Sequence, residues 1–211
     1  MKTFKEHLNE SLLGNIAALG IAGAAMTAPP AAQTSAQPTT QQTTQQRSPT
    51  QIHSGTYDFI KQSEGFRNNS YADKGQYSVG YGTGLHVDGS KVKPGEKVSK
   101  DQAHEMLVHH ITNRVVPVAS KTAVWGNMND RQRGAFVSFL YNVGEGVVGS
   151  KQHPNFNAAL ASGDVNKVFD HMATYNKVTE TDKKTGKKIK VVNQGLVNRR
   201  KAERDFAFAK D

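Results

Sequence analysis

The composition of the chain changes sharply near residue 50, and this break limits how much of it can build a packed core. From Pro29 to Gln46 the sequence contains only Pro, Ala, Gln, Ser and Thr. A segment with so few large apolar side chains cannot offset the chain entropy that folding removes. We therefore predict a disordered linker over residues 29–50 and one folded domain over residues 51–211, a length that suits a single core.

The segment ahead of the linker has the composition of an export signal. Residues 12–28 are uncharged and rich in Ala and Gly, and they follow a short stretch that contains Lys2 and Lys5. This run is shorter than the roughly 20 strongly apolar residues of a stable membrane span. We expect residues 1–28 to act as a cleaved signal or as a weak, releasable membrane anchor.

Cysteine content and net charge exclude some functions and favour others. The chain has no cysteine, so it can form no disulfide, thiolate nucleophile or sulfur-ligated metal site. Its formal charge of +9 favours association with nucleic acid, anionic lipid or an anionic wall polymer. An enzyme of this composition would work through carboxylates, hydroxyls or histidines.

The first part of the domain predicts a short helix followed by a small antiparallel sheet. Ser54 or Thr56 is a suitable N-cap for a helix that ends near Glu64, with Gly65 as a left-handed residue after it. Between residues 70 and 92, apolar residues alternate with small ones, and turn sequences occur at 74–75 and 88–89.

The rest of the domain has mainly helical periodicity. Ser99 and Gln102 predict a capping box for a helix that runs to Pro117. Helical spacing recurs over residues 135–143, 156–160, 165–172 and 196–209, and residues 183–190 predict an exposed basic hairpin. The predicted fold class is α+β and mostly helical.

Two acidic residues lie at the predicted junction between the first helix and the sheet. Asp73 follows Glu64 by nine residues, so both side chains can face one cleft. The partial negative charge of a helix C-terminus favours a protonated carboxyl at Glu64, whereas the polar turn beside Asp73 favours a carboxylate. Such a pair suits acid/base catalysis. On spacing alone, a solvated helix end and a turn-forming residue remain the commoner explanation.

Three segments together resemble the phage-type lysozymes, the endolysin family of glycoside hydrolases. EGFRNNSYADKGQYSVGYGTG resembles the catalytic segment of the family, MNDRQRGAFVSFLYNVGEG its central helix and GLVNRRKAERDFAF its closing helix. The resemblance implies a lysozyme-like two-lobed fold with a small antiparallel sheet and a helical lobe. It also implies hydrolysis of the β-1,4 bond between N-acetylmuramic acid and N-acetylglucosamine in bacterial peptidoglycan, typically with inversion.

The resemblance assigns roles to individual residues. Glu64 matches the general acid, Asp73 the carboxylate that positions water, and Arg199 the arginine that pairs with the catalytic glutamate. Ser78 matches the third catalytic position, where the family usually has threonine, and the turn after the aspartate is one residue shorter than in the family pattern. A glycan in the cleft would also favour aromatic and amide groups, for which Tyr77, Tyr81 and Asn142 are candidates that serve equally well as core or turn residues.

The resemblance also sets the expected partners. We expect a monomer that acts on bacterial peptidoglycan without metal, cofactor or nucleic acid, with weak membrane association through residues 12–28. His104 and His109 are five residues apart and about 140° apart around a helix, so they do not form the zinc-protease pair.

Alternatives of function and location remain open at this point. A lytic transglycosylase would cleave the same bond without water, a wall-binding module would keep the fold without the chemistry, and a basic protein of this charge could bind nucleic acid. We expect export to the host periplasm or envelope. However, MKTFKEHLNE is also similar to head-targeting peptides of large tailed phages, which would make the protein a virion-associated lysozyme.

Overall fold

The computed structural model describes residues 50–73 and 75–210. The predicted segment 1–28 and the linker up to residue 49 lie outside the described residues, as does Lys74. Within the described ranges, the chain forms α-helices and antiparallel strands in this order: α1 (Thr56–Glu64), β1 (Arg67–Asp73), β2 (Gln76–Gly80), α2 (Lys100–His110), α3 (Val116–Ala119), α4 (Asp130–Val143), α5 (Pro154–Ser162), α6 (Val165–Ala173), β3 (Lys177–Thr181), β4 (Lys188–Val192) and α7 (Gln194–Phe208). No helix in this part of the chain is long and apolar enough to cross a membrane.

Helix α1 begins differently from the prediction. Its N-cap is Gly55, which has no side chain, and the backbone N–H of Gly55 donates to His53 Nδ1 over 3.0 Å. The predicted N-cap role of Ser54 or Thr56 is wrong, because Thr56 is already the first helical residue and is fully buried. At the other end, Gly65 has the predicted positive φ of 69°, but its ψ of 159° lies outside the left-handed helical region.

Reciprocal capping boxes begin helices α2 and α4. The predicted box on α2 is confirmed, since Ser99 Oγ accepts from Gln102 N and Gln102 Oε1 accepts from Ser99 N. A second box of the same kind, between Asn129 and Gln132, begins α4. Each box satisfies two backbone N–H groups that the first helical turn leaves without partners.

The helical path after α2 does not end at Pro117, contrary to the prediction. The chain passes through a π-helical turn at Ile111–Val115 and continues as α3 to Ala119. Proline breaks a helix because it lacks an N–H and its ring meets the preceding turn. Pro117 lies at the start of α3, directly after the π turn, where an α-helical bond from its nitrogen is not required.

The strands form two separate hairpins. β1 pairs with β2 so that Tyr71 lies opposite Ser78 and Asp73 opposite Gln76, and the hairpin reverses between Asp73 and Gln76, in agreement with the prediction. The second predicted turn is present at Gly89, whose φ is 83°, but its flanks form only an isolated bridge and not a pair of strands. The predicted basic hairpin is confirmed and is longer than its prediction, since β3 and β4 pair from residue 177 to residue 192.

Helix α4 is the centre of the domain, because all of residues 133–140 are buried. The aromatic rings of Phe136 and Phe139 lie within it, and Phe156 of α5 packs against both at centroid distances of 6.5 and 5.4 Å. Helix α7 packs along α4, and α1 meets α4 where Gly134 approaches Thr56. The two helices that carry the candidate site residues therefore rest on one buried helix.

Candidate active site

Glu64 is the last residue of α1, and the spacing of the helix turns it towards the interior. Thr56, Ile60 and Glu64 are four residues apart and share one helical face, and the first two of them are fully buried. The side chain of Glu64 remains 20% exposed. It is thus held by a buried helix face but still open to a ligand.

A short ion pair joins α1 to α7 at this point. Arg199 Nη1 lies 2.7 Å from Glu64 Oε1, and the arginine side chain is only 10% exposed. The Nε of the same guanidinium lies 3.3 Å from Oε1 of Glu203, one turn further along α7. Arg199, which the family resemblance pairs with Glu64, therefore bridges two carboxyl groups.

Two tyrosine hydroxyls lie beside the other oxygen of Glu64. A Cβ built on Gly82 would lie 3.8 Å from each of Glu64 Oε2, Tyr71 Oη and Tyr141 Oη, so these three atoms surround one position. Tyr141 Oη donates to the backbone oxygen of Tyr81 over 2.8 Å. Burial raises the pKa of both tyrosines, and the charge of Glu64 adds to the shift. Both hydroxyls therefore stay protonated at neutral pH.

The hairpin of β1 and β2 turns the face that carries Asp73 towards Glu64. Side chains alternate along a strand, and residues paired across strands share a face, so Tyr71, Asp73, Gln76 and Ser78 lie on one side. The hydroxyl of Tyr71 reaches the position beside Gly82 that Glu64 also reaches. Burial is the main cause that raises the pKa of Tyr71, and the charge of Arg67 counteracts it. The charges of Asp73 and Glu64 raise the pKa further, so this side chain lies within the field of both carboxyls.

Ser78 lies on the same face in a fully buried position. Within the described residues, its Oγ has no hydrogen-bond partner. A buried hydroxyl usually has a partner, and an unpartnered one on a polar face can hold a water molecule.

The three residues considered for substrate binding have different environments. Tyr77 is 37% exposed on the face of the hairpin opposite to Asp73. Tyr81 is buried and its ring packs against Phe66 at a centroid distance of 5.6 Å. Asn142 is half-buried, and its Oδ1 accepts a hydrogen bond from Arg200 Nη2 over 2.8 Å. Tyr81 and Asn142 thus have structural contacts, and contact with a substrate stays a prediction for all three.

Sequence reasoning missed several residues of this cluster. Tyr71 could have been found by strand alternation, because it precedes Asp73 by two residues and shares its face. Glu203 could have been found by helical spacing, because it follows Arg199 by four residues. Tyr141 and Gly82 reach the site only through tertiary contacts, for which the local sequence has no signal. Within the described residues, no group of three His, Asp or Glu side chains is arranged to hold a metal ion.

Comparison with protein families gives a match to the phage lysozyme model over residues 61–203. The chain belongs to the phage lysozyme family. The matched range includes Glu64, the hairpin with Asp73 and Ser78, and α7 as far as Glu203.

Curated relatives are phage proteins. The chain is 31% identical over 156 residues to an endolysin of Bacillus phage B103, a match that covers 72% of this chain and 52% of that protein. It is 32% identical over 114 residues to a SAR-endolysin of Pseudomonas phage phiKMV, covering 53% of this chain and 62% of that protein. The chain therefore spans between about half and three fifths of the length of these relatives.

Solved structures confirm the predicted fold class. The endolysin from Escherichia coli O157:H7 phage FAHEc1 superposes with a TM-score of 0.58 at 31% identity, covering 75% of this chain and 93% of that one. The active form of the P1 phage endolysin Lyz superposes with a TM-score of 0.55 at 19% identity, covering 74% and 84% of the two chains. The mostly helical α+β fold with small antiparallel sheets is thus a lysozyme-like fold.

Proposed function

We propose that this protein is a muramidase that hydrolyses the β-1,4 bond between N-acetylmuramic acid and N-acetylglucosamine in bacterial peptidoglycan. The observation that carries the proposal is the environment of Glu64: a half-buried carboxyl, paired with Arg199, that faces the hairpin side bearing Asp73. Membership of the phage lysozyme family supports the same reaction class.

In the proposed reaction Glu64 is the general acid. Its carboxyl proton passes to the glycosidic oxygen as the bond from that oxygen to C1 of N-acetylmuramic acid breaks. Asp73 accepts a proton from a water molecule whose oxygen forms the new bond to C1 from the opposite side, so that the products are two free sugar ends. The buried hydroxyl of Ser78, which lies on the same hairpin face as Asp73, would hold this water.

Two hydroxyls next to the proton donor suit this chemistry. Tyr71 and Tyr141 keep their protons because burial raises the pKa of each. The neutral hydroxyl of Tyr71 can donate a hydrogen bond to a sugar oxygen without adding a negative charge beside Glu64. The hydroxyl of Tyr141 donates its proton to the backbone oxygen of Tyr81, so it can accept a hydrogen bond from a sugar hydroxyl. We propose that the sugar at the cleaved bond contacts Tyr71, Tyr141 and the backbone of Gly82, where the absence of a side chain leaves space for it.

Basic residues on the second hairpin suit the wall as a partner. Lys177, Lys188 and Lys190 share one face of β3 and β4, which we term the basic face. All three are exposed, and within the described residues none of them forms an ion pair with a carboxylate. An unpaired cationic face attracts the acidic groups of a bacterial wall.

The remaining assignments concern organisation and location. We propose that residues 1–28 direct export to the host periplasm or envelope, that residues 29–50 link them to the catalytic domain of residues 51–211, and that the protein acts as a monomer. Packaging in the virion through the first ten residues is the alternative location. Sequencing the N-terminus of the mature protein from culture and from virions separates these possibilities.

The chemistry of the products tests the function. Isolated peptidoglycan is digested with the purified protein in isotopically labelled water, and the fragments are analysed by mass spectrometry. Hydrolysis predicts reducing N-acetylmuramic acid ends that carry one labelled oxygen. Unlabelled anhydro ends would identify a lytic transglycosylase, and wall binding without new ends would identify a non-catalytic wall-binding module. Salt-sensitive retention of DNA with no cleavage of walls would identify a nucleic-acid-binding protein.

A further inference from the structure

A buried carboxyl that the proposed reaction does not use lies one helical turn beyond Arg199. Glu203 is fully buried between α7 and α4. Its Oε1 accepts from the hydroxyl of Ser138 at 3.1 Å, from Arg199 Nε at 3.3 Å and from Arg200 Nη2 at 3.0 Å. A single oxygen therefore collects three donors from two helices.

Burying the charges of Glu203 and Arg200 costs free energy, and close packing of α7 against α4 does not require charged side chains. Burial raises the pKa of Glu203 and lowers the pKa of Arg200, and in each case the opposite charge counteracts the shift. Buried ion pairs often contribute less stability than apolar side chains of similar size. A helix interface that only needed packing would be served as well by leucine. The charge at this position therefore has a use beyond holding α7 against α4.

The geometry of Arg199 indicates that use. Its Nε lies on Glu203 and its Nη1 on Glu64, so opposite ends of one planar guanidinium are held by two carboxyls. A guanidinium held at Nε cannot rotate about its bond to the stem without losing that contact. Glu203 thus fixes the direction in which Arg199 presents Nη1 to Glu64.

We propose that Glu203 is a positioning residue of the active site, which orients Arg199 on Glu64 and offsets its positive charge. This inference rests on the proposed function of Glu64 as general acid. An arginine with no second partner would favour the ionised form of Glu64, which has no proton to donate. The negative charge of Glu203 partly offsets the positive charge of the same guanidinium. Arg199 therefore stabilises the ionised form of Glu64 less strongly, which favours the protonated, reactive form.

The charged and titratable groups around Glu64 are few among the described residues. The carboxylate of Asp73 and the hydroxyl of Tyr71 lie on the face of β1 that is turned towards Glu64, and Tyr141 faces it from α4. Burial raises the pKa of both tyrosines, so neither changes charge near neutral pH. Arg199 and Arg200 act on it from α7. Glu203 lies behind both arginines and is fully buried. A single substitution of Glu203 therefore removes one negative charge from the interior side of Glu64.

The test compares two substitutions on α7 that remove one carboxylate each. Glu203→Gln removes the buried charge and keeps the shape, whereas Asp205→Asn removes an exposed carboxylate that pairs with Lys201. Initial rates on solubilised peptidoglycan chains give kcat, KM and the pH–rate profile, and thermal unfolding checks the fold.

For Glu203→Gln we expect the alkaline limb of the profile to move down by about one pH unit, which lowers kcat roughly tenfold at neutral pH while KM stays within about twofold. Asp205→Asn should match the wild type in all three quantities. A folded Glu203→Gln enzyme with an unchanged pH profile would overturn the proposal, since a merely structural role changes stability and not the position of the limb.

A charge-conserving variant separates charge from shape and covers the case in which Glu203→Gln does not fold. Glu203→Asp keeps the charge but draws it back by one methylene group. We expect its alkaline limb at the wild-type position and its kcat lowered several-fold, because Arg199 is displaced. A wild-type kcat in a folded Glu203→Asp enzyme would contradict the positioning role. Failure of the proposed function is recognised separately, because the wild-type protein itself would then cleave no peptidoglycan.

Discussion

Replacement of Gly82 by alanine should remove activity with little loss of fold. The new methyl group would lie 3.8 Å from Glu64 Oε2 and from the hydroxyls of Tyr71 and Tyr141, at ordinary contact distance from all three. In the proposed reaction it would fill the space through which the sugar oxygen approaches the carboxyl of Glu64. The prediction is therefore a steric block of the active site in a protein that still folds.

The structure supplies both the size of the expected effect and its control. Gly82 has a φ of 91°, where alanine is strained by about 1–3 kcal/mol. In a domain of this size, each kcal/mol of strain lowers the melting temperature by about 2–4 °C. Gly89 has nearly the same φ of 83°, but a Cβ there meets nothing within 4 Å. Gly89→Ala thus carries the strain without the contact. Displacement of the substrate can lower the reaction rate by a factor of about 10², and we expect this decrease for Gly82→Ala but not for Gly89→Ala.

The assay measures turbidity loss of isolated walls together with thermal unfolding for both variants. We expect similar melting temperatures and a rate for Gly82→Ala about 10²-fold below that of Gly89→Ala. Equal lytic rates in the two variants would refute the reasoning, because the substrate would then not pass beside Gly82.

Three further predictions concern stability and wall binding. Burial lowers the pKa of His110 in the folded state, so its contribution to stability should be complete above the unfolded-state pKa of about 6.5 and should fall as the pH drops below that pKa. His110→Phe keeps a ring against Tyr141 and should reduce the dependence of the melting temperature on pH. Replacement of all three lysines of the basic face by glutamine should weaken wall binding several-fold at low salt in a sedimentation assay, and an equal loss at high salt would contradict an electrostatic cause. Gly134→Ala should destabilise the fold by about 1–3 kcal/mol in denaturant unfolding because the methyl meets Thr56, whereas Gly126→Ala, whose Cβ meets nothing within 4 Å, should cost little.

The elements of this fold that local rules govern could be predicted from the sequence. The capping box of Ser99 and Gln102 and the hairpin turn before Gln76 depend on residues three or four positions apart, so periodicity and turn chemistry are sufficient to find them. The start of α1 was predicted wrongly because a tertiary contact decides it. Thr56 is buried where α1 meets Gly134, and this removes its side chain from capping.

The site divides in the same way. Glu64 and Asp73 lie in one short segment, so a resemblance and the order of elements were sufficient to propose them. The proposed roles of Tyr141 and Glu203 depend on how α4 and α7 pack together, and residues 138 and 203, which share a hydrogen bond, are far apart in the sequence. The continuation of the helix beyond Pro117 was missed for a further reason, since the π turn before it has no reliable sequence signal.

The role of Glu64 as proton donor can be measured most directly with the isosteric substitution Glu64→Gln. Wall clearing and wall binding would be measured for the wild type, Glu64→Gln and the control Glu105→Gln, which changes an exposed glutamate of α2. Loss of the proton donor predicts a clearing rate at least about 10²-fold lower for Glu64→Gln, with binding within about twofold of the wild type. Clearing at the wild-type rate by the Glu64→Gln protein would contradict the account.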